Sequence, residues 1–277
     1  MIDLSINLTV HNKDFLLEQV LNGITQNTTG DYELIVVLDG CTDRSEEVLD
    51  RFIAASSIKI KKLYAPNVFE TKANNLAARN SEGDHIIIVQ DDMVVREHGW
   101  NERMLKPIKA FSDIYAVTAR SAYNYVLNPN SSHLKLSKEE DLKIDYCWSD
   151  ITTTVDIAEQ KNGLPRNVFA IRNSVNRGPL LIRHDIFQAV GYLNEDFAPQ
   201  DQDDADLNYR VLKKFGLHSG CYWIDFASET QWGGTRPDGY NPANWLLKAH
   251  HKNTRYLAEH HMDILTSRRI VENRLLD

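Results

Sequence analysis

The first ninety residues alternate between two hydrophobic periods, and few folds accept that alternation. Ile6, Leu8 and Val10 recur at the strand period of two, then Phe15, Leu16, Val20, Leu21 and Ile24 follow at helical spacing. Residues 34–38 form a buried-strand run, and Val48, Leu49, Phe52 and Ile53 return to the helical period. Ile58, Ile60 and Leu63 read as a third strand, and residues 71–80 as a third helix. Residues 85–90 contain Ile86, Ile87, Ile88 and Val89, the signature of a strand buried on both faces. Short strands separated by helices of about ten residues predict βαβ units and a mostly parallel, Rossmann-like α/β sheet flanked by helices.

Past residue 92 the pattern loosens. A helix over 100–111 and a strand over 115–119 are expected. Residues 121–172, with NPNSSH and KEEDLK, read as an insertion with little regular structure. Order returns with a strand at 180–182, a short helix from Asp185 and a longer one over 203–215. Residues 226–243 are a Gly- and Pro-punctuated loop, followed by amphipathic helix to the end. Neither a repeat nor a linker-like stretch interrupts this, so one domain over 1–277 is expected.

Charge and apolar runs narrow the class of protein. The 39 Asp and Glu outnumber the 31 Lys and Arg, for a net charge of -8. That excess argues against nucleic acid as the main partner and against a polybasic membrane anchor. The longest apolar run, 34–38, is far too short for a transmembrane segment. The opening MIDLSINLTV has no basic n-region or signal-peptide h-region. Cys41, Cys147 and Cys221 are odd in number and scattered, which excludes a disulfide framework or cysteine zinc site. A soluble cytoplasmic protein is the expectation.

In an open parallel sheet, ligands bind outside the carboxyl ends of the strands. Thr9, His11 and Asn12 follow the first strand, Asp39 the second, and Asp91 and Asp92 the fourth. Taken singly these acids could be solvated, and Asp39-Gly40 makes a good turn. Three carboxylates on one edge suit a hard divalent cation, Mg²⁺ or Mn²⁺, that bridges to a nucleotide diphosphate. No G-x-G-x-x-G replaces LTVHNKDF after the first strand, and no P-loop exists. The first turn also lacks the glycines that would cradle a triphosphate.

A second acidic cluster comprises Asp201, Asp203, Asp204 and Asp206. Acids are favoured at a helix N-terminus, Asp206 and Arg210 are spaced to pair, and Leu207, Val211 and Phe215 supply a core face. An EF-hand fails for want of a glycine at the sixth position and a Glu where Leu212 stands. His250, His251, His260 and His261 read as a solvated helix face. Trp100, Trp148, Trp223 and Trp245 suit core or sugar platform equally.

The stretches LSINLTVHN, ELIVVLDGCTDRS and KANNLAARNSEGDHIIIVQDDM resemble the nucleotide-binding half of family 2 glycosyltransferases. GPLLIRHDIFQAVGYLNEDFAPQDQDDADLNYRVLKKFG is similar to that family's acceptor-side half. Together they span residues 3–93 and 176–217, in the family's order. The resemblance implies a GT-A fold and metal-dependent, inverting transfer from a nucleotide sugar, most commonly UDP-linked. The acceptor would be a hydroxyl of a glycan or of a lipid- or protein-linked acceptor, with peripheral membrane location if the acceptor is a lipid. It divides the chain into a nucleotide-sugar half at 1–93, an acceptor half at 94–225 and a lid loop with helices at 226–277.

By position, the resemblance assigns Thr9 and His11 to the base pocket and Asp39 to a hydrogen bond with the base. Asn75 matches the asparagine of an A-R-N stretch whose arginine is Asn74 here, and Lys72 would neutralise the diphosphate. Gln90, Asp91 and Asp92 occupy the D-x-D position, with Asp92 as the Mn²⁺ or Mg²⁺ ligand and Asp91 beside it on metal, sugar or ribose. The family's usual third ligand, a histidine, is missing, leaving Asp225 or Glu229 as substitutes. DDADL matches E-D-x-D-L, which makes Asp204 the base with Asp203 its neighbouring alternative. Apart from the resemblance, Arg177 and Gly178, just before the acceptor-side strand, are expected to touch phosphate or acceptor. The glycine-rich stretch with Trp232, Gly233, Gly234 and Arg236 reads as a loop closing over the donor or as a plain surface loop. A noncatalytic sugar- or nucleotide-binding protein is one alternative; a retaining transferase or sugar nucleotidyltransferase is another.

Overall fold

The computed structural model describes residues 2–125, 147–148, 164–228, 232, 242–267 and 270–276. The alternating periods produce β1 (Leu4–Val10), α1 (Leu17–Asn27), β2 (Tyr32–Asp39), α2 (Ser45–Ala55), β3 (Ile60–Ala65), α3 (Phe69–Arg79) and β4 (His85–Gln90). The four strands lie parallel in the order β4-β1-β2-β3. One sheet face presents Ile6, Leu8, Leu34, Val36, Ile87 and Val89 to α1, α2 and α4 (Trp100–Ala110). On the other face Ile35 and Val37 meet Ala73 and Ala77 of α3. The run at 86–89 divides as expected, with Ile86 and Ile88 in the opposite core beside Leu207 and Val211. Each of these fully buried branched side chains contributes about 1.5–3 kcal/mol.

Past β4 the chain continues as β5 (Met93–Val95), α4, β6 (Ile114–Thr118), β7 (Ser121–Tyr123), β8 (Cys147–Trp148), β9 (Val168–Arg172), β10 (Ser174–Asn176) and β11 (Leu180–Arg183). Then come α5 (His184–Ala189), α6 (Asp203–Phe215), β12 (His218–Tyr222), β13 (Phe226–Ser228), α7 (Pro242–Ser267) and β14 (Glu272–Leu275). The central sheet has nine strands in the order β14-β9-β12-β6-β11-β4-β1-β2-β3. β11 runs antiparallel between β4 and β6, pairing Leu180 with Ile88 and with Thr118. Its amino end therefore lies at the carboxyl ends of the parallel strands.

Three expectations need correction. The stretch 121–172 is not irregular throughout, because β7 and β9 are ordered strands and β9 joins the central sheet; residues 126–146 and 149–163 lie outside the described residues. The loop read at 226–243 begins with β13, paired to β5. Helix does not run to the end, since β14 closes the sheet against β9. These strands have three to five residues and partners far along the chain, so local periodicity could not reveal them. Among the described residues no helix is long and apolar enough to cross a membrane.

Candidate active site

The parallel edge assembles the first group of polar residues. Asp39, at the end of β2, is fully buried, and its carboxylate accepts the backbone N–H groups of Val68 (2.6 Å) and Phe69 (2.8 Å). It thereby anchors a turn in which Asn67 and Phe69 both have positive φ, just where α3 begins. Gly40 has φ +63, and a β-carbon there would fall 2.6 Å from that of Asn67, so this turn requires glycine. His11 joins two strand ends: its Nδ1 lies 2.5 Å from the Asp39 carbonyl, and its N–H donates to Asp91 at 2.9 Å. Thr9 donates to Asn74.

Burial pushes the Asp91 carboxyl up to about 7, against the lowering effects of Lys13 and the His11 N–H. Asp92 is raised as well, chiefly by burial, while Arg120 opposes the shift. One Asp92 oxygen, Oδ1, is buried with no hydrogen-bond partner. An acid pair of this kind fits a divalent cation, which would relieve both the desolvation and the unmet oxygen. Among the described residues no trio of His, Cys, Asp or Glu is spaced to complete such a site. Asp225 is turned to Arg96, at 2.9 Å from Nε, and the register places Ser228 rather than Asp225 beside Met93. Glu229 lies outside the described residues.

Between β10 and β11, Arg177 has its guanidinium buried among three carboxylates. Its Nη1 lies 2.7 Å from Asp204 Oδ1 and 2.9 Å from Asp203 Oδ1, and its Nε donates to Glu70 at 3.1 Å. Its backbone N–H also donates to Asp204 Oδ2 at 3.0 Å. Burial works against the arginine charge, yet Asp203, Asp204 and Glu70 together raise its pKa well above normal. Burial likewise raises the Asp204 carboxyl, to about 7, with Arg177 opposing and Asp203 adding to the rise. Asp203 accepts from Thr71 at 2.7 Å, and its Oδ1 faces Arg177 out of line for a hydrogen bond. Asp203 is 1% exposed and Asp204 10% by side chain, so Asp204 is the more accessible of the two.

Both acids line a cleft of about 560 Å³ whose lining also includes Gln90 and Arg120. Gly178 has φ +89, and a β-carbon there would clash with the Gln90 carboxamide, 2.8 Å from its Cδ. Arg120 donates to the Gly178 carbonyl at 3.1 Å and to Ser228 at 3.2 Å.

The sequence-derived candidates separate into groups. His11, Asp39, Asp91 and Asp92 converge at the parallel edge, and Arg177 and Asp204 meet each other. Asn75 turns away: its amide both accepts from and donates to the Leu193 backbone and reaches Glu195. Lys72 is exposed on the same side, near Glu195. The Trp232 carbonyl accepts from the Lys13 ammonium, whereas Gly233, Gly234 and Arg236 lie outside the described residues.

Asp206 pairs with Arg210 at 2.6 Å as its spacing predicts. The histidine face is not uniformly solvated, because His261 is buried against Asp206 at 2.9 Å and His250 lines the cleft beside Asp201. Trp100 is core, with its indole N–H on Thr28. Sequence reading missed Lys13, Glu70 and Arg120. Lys13 is buried 3.9 Å from Asp91, a position that no spacing within LTVHNKDF signals.

The architecture is the GT-A glycosyltransferase fold. It superposes on GalNAc-T7, solved with UDP, GalNAc and Mn²⁺, with a TM-score of 0.60 and 12% identity, covering 82% of this chain and 44% of that one. It also superposes on the mannosyltransferase PcManGT of Pyrobaculum calidifontis, solved with GDP-Man and Mn²⁺, with a TM-score of 0.57 and 13% identity over 95% and 71% of the two chains. Residues 5–172 match Glycosyl transferase family 2, and the chain belongs to that family. Among curated relatives, glycosyltransferase GlyG of Streptococcus pneumoniae serotype 4 (strain ATCC BAA-334 / TIGR4) is 28% identical over 96 residues, 34% of this chain and 32% of its own. The match thus spans about a third of that relative's length.

Proposed function

We propose that this chain transfers a sugar with inversion from a nucleoside diphosphate sugar, UDP-linked in the first instance, to an acceptor hydroxyl, and that it needs Mn²⁺ or Mg²⁺. The observation that carries this reading is two unlike acid groups, one at the parallel edge directly after Gln90 and one on the cleft that Gln90 also lines. In the first, Asp92 beside Asp91 has a buried oxygen without a partner; in the second, Asp203 and Asp204 are clamped by Arg177. The presence of Mn²⁺ in GalNAc-T7 and PcManGT supports the metal requirement.

Asp92, with Asp91 beside it, would hold the ion, which when bound would stabilise charge on the departing diphosphate as a Lewis acid. Thr9 and His11 border the base, and Asp39 acts behind them by holding the turn at Val68 and Phe69. Asp204 takes the proton of the attacking hydroxyl, whose own pKa lies far above neutrality. Its raised pKa brings it near the pH at which a general base works best. Arg177 fixes the carboxylate's orientation, and Thr71 holds Asp203 in place behind it.

The test pairs a thermal-shift screen of UDP- and GDP-sugars, with Mn²⁺ or with EDTA, with an assay of nucleotide release. Asp92→Ala should lose metal-dependent donor binding, and Asp204→Ala should keep binding but lose transfer. Wild-type rates in both variants would sink the mechanism. The product's anomeric proton NMR separates inversion from retention, and a requirement for a nucleoside triphosphate would point to a nucleotidyltransferase.

A further inference from the structure

The cleft beside Asp204 carries more acid than base. Glu70, Asp201, Asp203 and Asp204 line it against Arg120 and Arg177 among the described residues. Neither arginine offers its charge outright. Arg177 shares its guanidinium among three of those carboxylates, and Arg120 is directed to the Gly178 carbonyl and Ser228 while attracted by Asp92. Even a protonated His250, 2.9 Å from Asp201, would leave the acids in excess. A phosphate or carboxylate entering here would lose water without gaining a countercharge, and would stand beside like charge.

Hydroxyl groups meet a better-matched surface. Asp203 Oδ1 is buried against the Arg177 guanidinium, whereas the Asp204 side chain is 10% exposed and presents an acceptor to the cleft. Gln200 and Gln90 line the walls with carboxamides, groups that both donate and accept, the Gln90 amide reaching Glu70 and the Asn176 amide held by Ser121 and Tyr123. At the mouth Leu247 is 53% exposed, an apolar patch suited to the C–H face of a sugar ring.

We infer that the acceptor moiety entering this cleft is an uncharged polyol, a sugar face carrying no phosphate or carboxylate next to the reacting hydroxyl. The inference rests on the glycosyl-transfer reading and narrows its acceptor. Asp201 acts as a specificity residue at the rim, accepting from acceptor hydroxyls and repelling anions, with His250 fixing its orientation.

The experiment uses the whole chain with Mn²⁺ and the nucleotide sugar that it binds, and follows nucleotide release. A panel of neutral methyl glycosides and disaccharides is compared with the matching sugar 6-phosphates and uronates. Neutral members should stimulate release, with kcat/KM about a hundredfold or more above their charged counterparts. Asp201→Lys should shrink that ratio at least tenfold while leaving nucleotide binding intact. Equal or better use of the charged sugars overturns the inference, as does a panel in which neither class stimulates release above the rate with water. Donor turnover with water alone, seen in those cases, leaves the transferase reading standing. A chain that binds no nucleotide sugar overturns both.

Discussion

Asp204 sits under opposing influences whose sum can be read in solution. Burial favours its neutral form, and Arg177 favours the ionised one; the carboxyl comes out at about 7. A base works when ionised, so nucleotide release should rise with pH and level off above about pH 7. Asp204→Asn should lower the rate by about 10²–10⁴-fold and abolish the pH step. The same shift acts on stability with the opposite sign. A native carboxyl raised above the unfolded value of about 3.9 binds more protons than the unfolded chain between those two values. Its contribution to stability therefore declines as pH rises from about 4 to about 7. Midpoints of urea unfolding across that range should show the decline in the parent and a smaller one in Asp204→Asn.

Arg177 is the countercharge for Glu70, Asp203 and Asp204 together. Arg177→Met should destabilise by about 3–5 kcal/mol, because it strands buried acids. Adding Asp203→Asn and Asp204→Asn should recover part of that loss in the same unfolding assay; no recovery would refute the account. At this scale the acids were legible because strand ends and a helix start fix their place. Lys13, Glu70 and Arg120 were not, since tertiary contacts decide where their long side chains lead. Asn75 and Asn74 are adjacent on one helix, and only packing determines that Asn74 faces Thr9 while Asn75 faces Leu193.

Among the elements, α7 braces the turn that leads into α6 and Asp204, the proposed base. Asp201 and Gln202 both have positive φ, a conformation costly for non-glycine residues. From α7 the Asn253 amide donates to the carbonyls of Phe197 (3.1 Å), Gln200 (3.0 Å) and Asp201 (2.7 Å), and Thr254 meets Gln202. Asn253→Ala leaves buried carbonyls unmet and should cost about 1–3 kcal/mol in stability. It should also lower kcat for nucleotide release at least about tenfold with the donor KM unchanged, since positioning within about 1 Å governs such steps. A fall in stability alone would mean that α7 only packs. None of this was visible in the helical period of 242–267, which marks a buried face without naming what it covers. Likewise β12 and β14 escaped notice because HSGCY and ENRL carry no apolar alternation; they are strands because β6 and β9 offer edges.

Over the whole molecule, the net charge of -8 and the acid-lined edge set the terms for an anionic donor. UDP without a divalent cation should leave the melting temperature unchanged. UDP with Mn²⁺ at about a hundred times Kd should stabilise by about 2.7 kcal/mol, and EDTA should reverse the gain. Equal shifts with and without the metal would contradict the assignment of Asp91 and Asp92.

The reversed strand β11 has a further consequence for biosynthesis. β4 is an apolar strand with core on both faces, and one of its hydrogen-bonding edges is closed only by residues 180–183. β6 cannot close it, because β11 stands between them. A nascent chain on the ribosome therefore carries an open apolar edge from the emergence of β4 until more than ninety further residues are made. Truncations ending before β11 should precipitate or bind chaperones, and the first soluble fragment in a nested series should be one that includes Arg183.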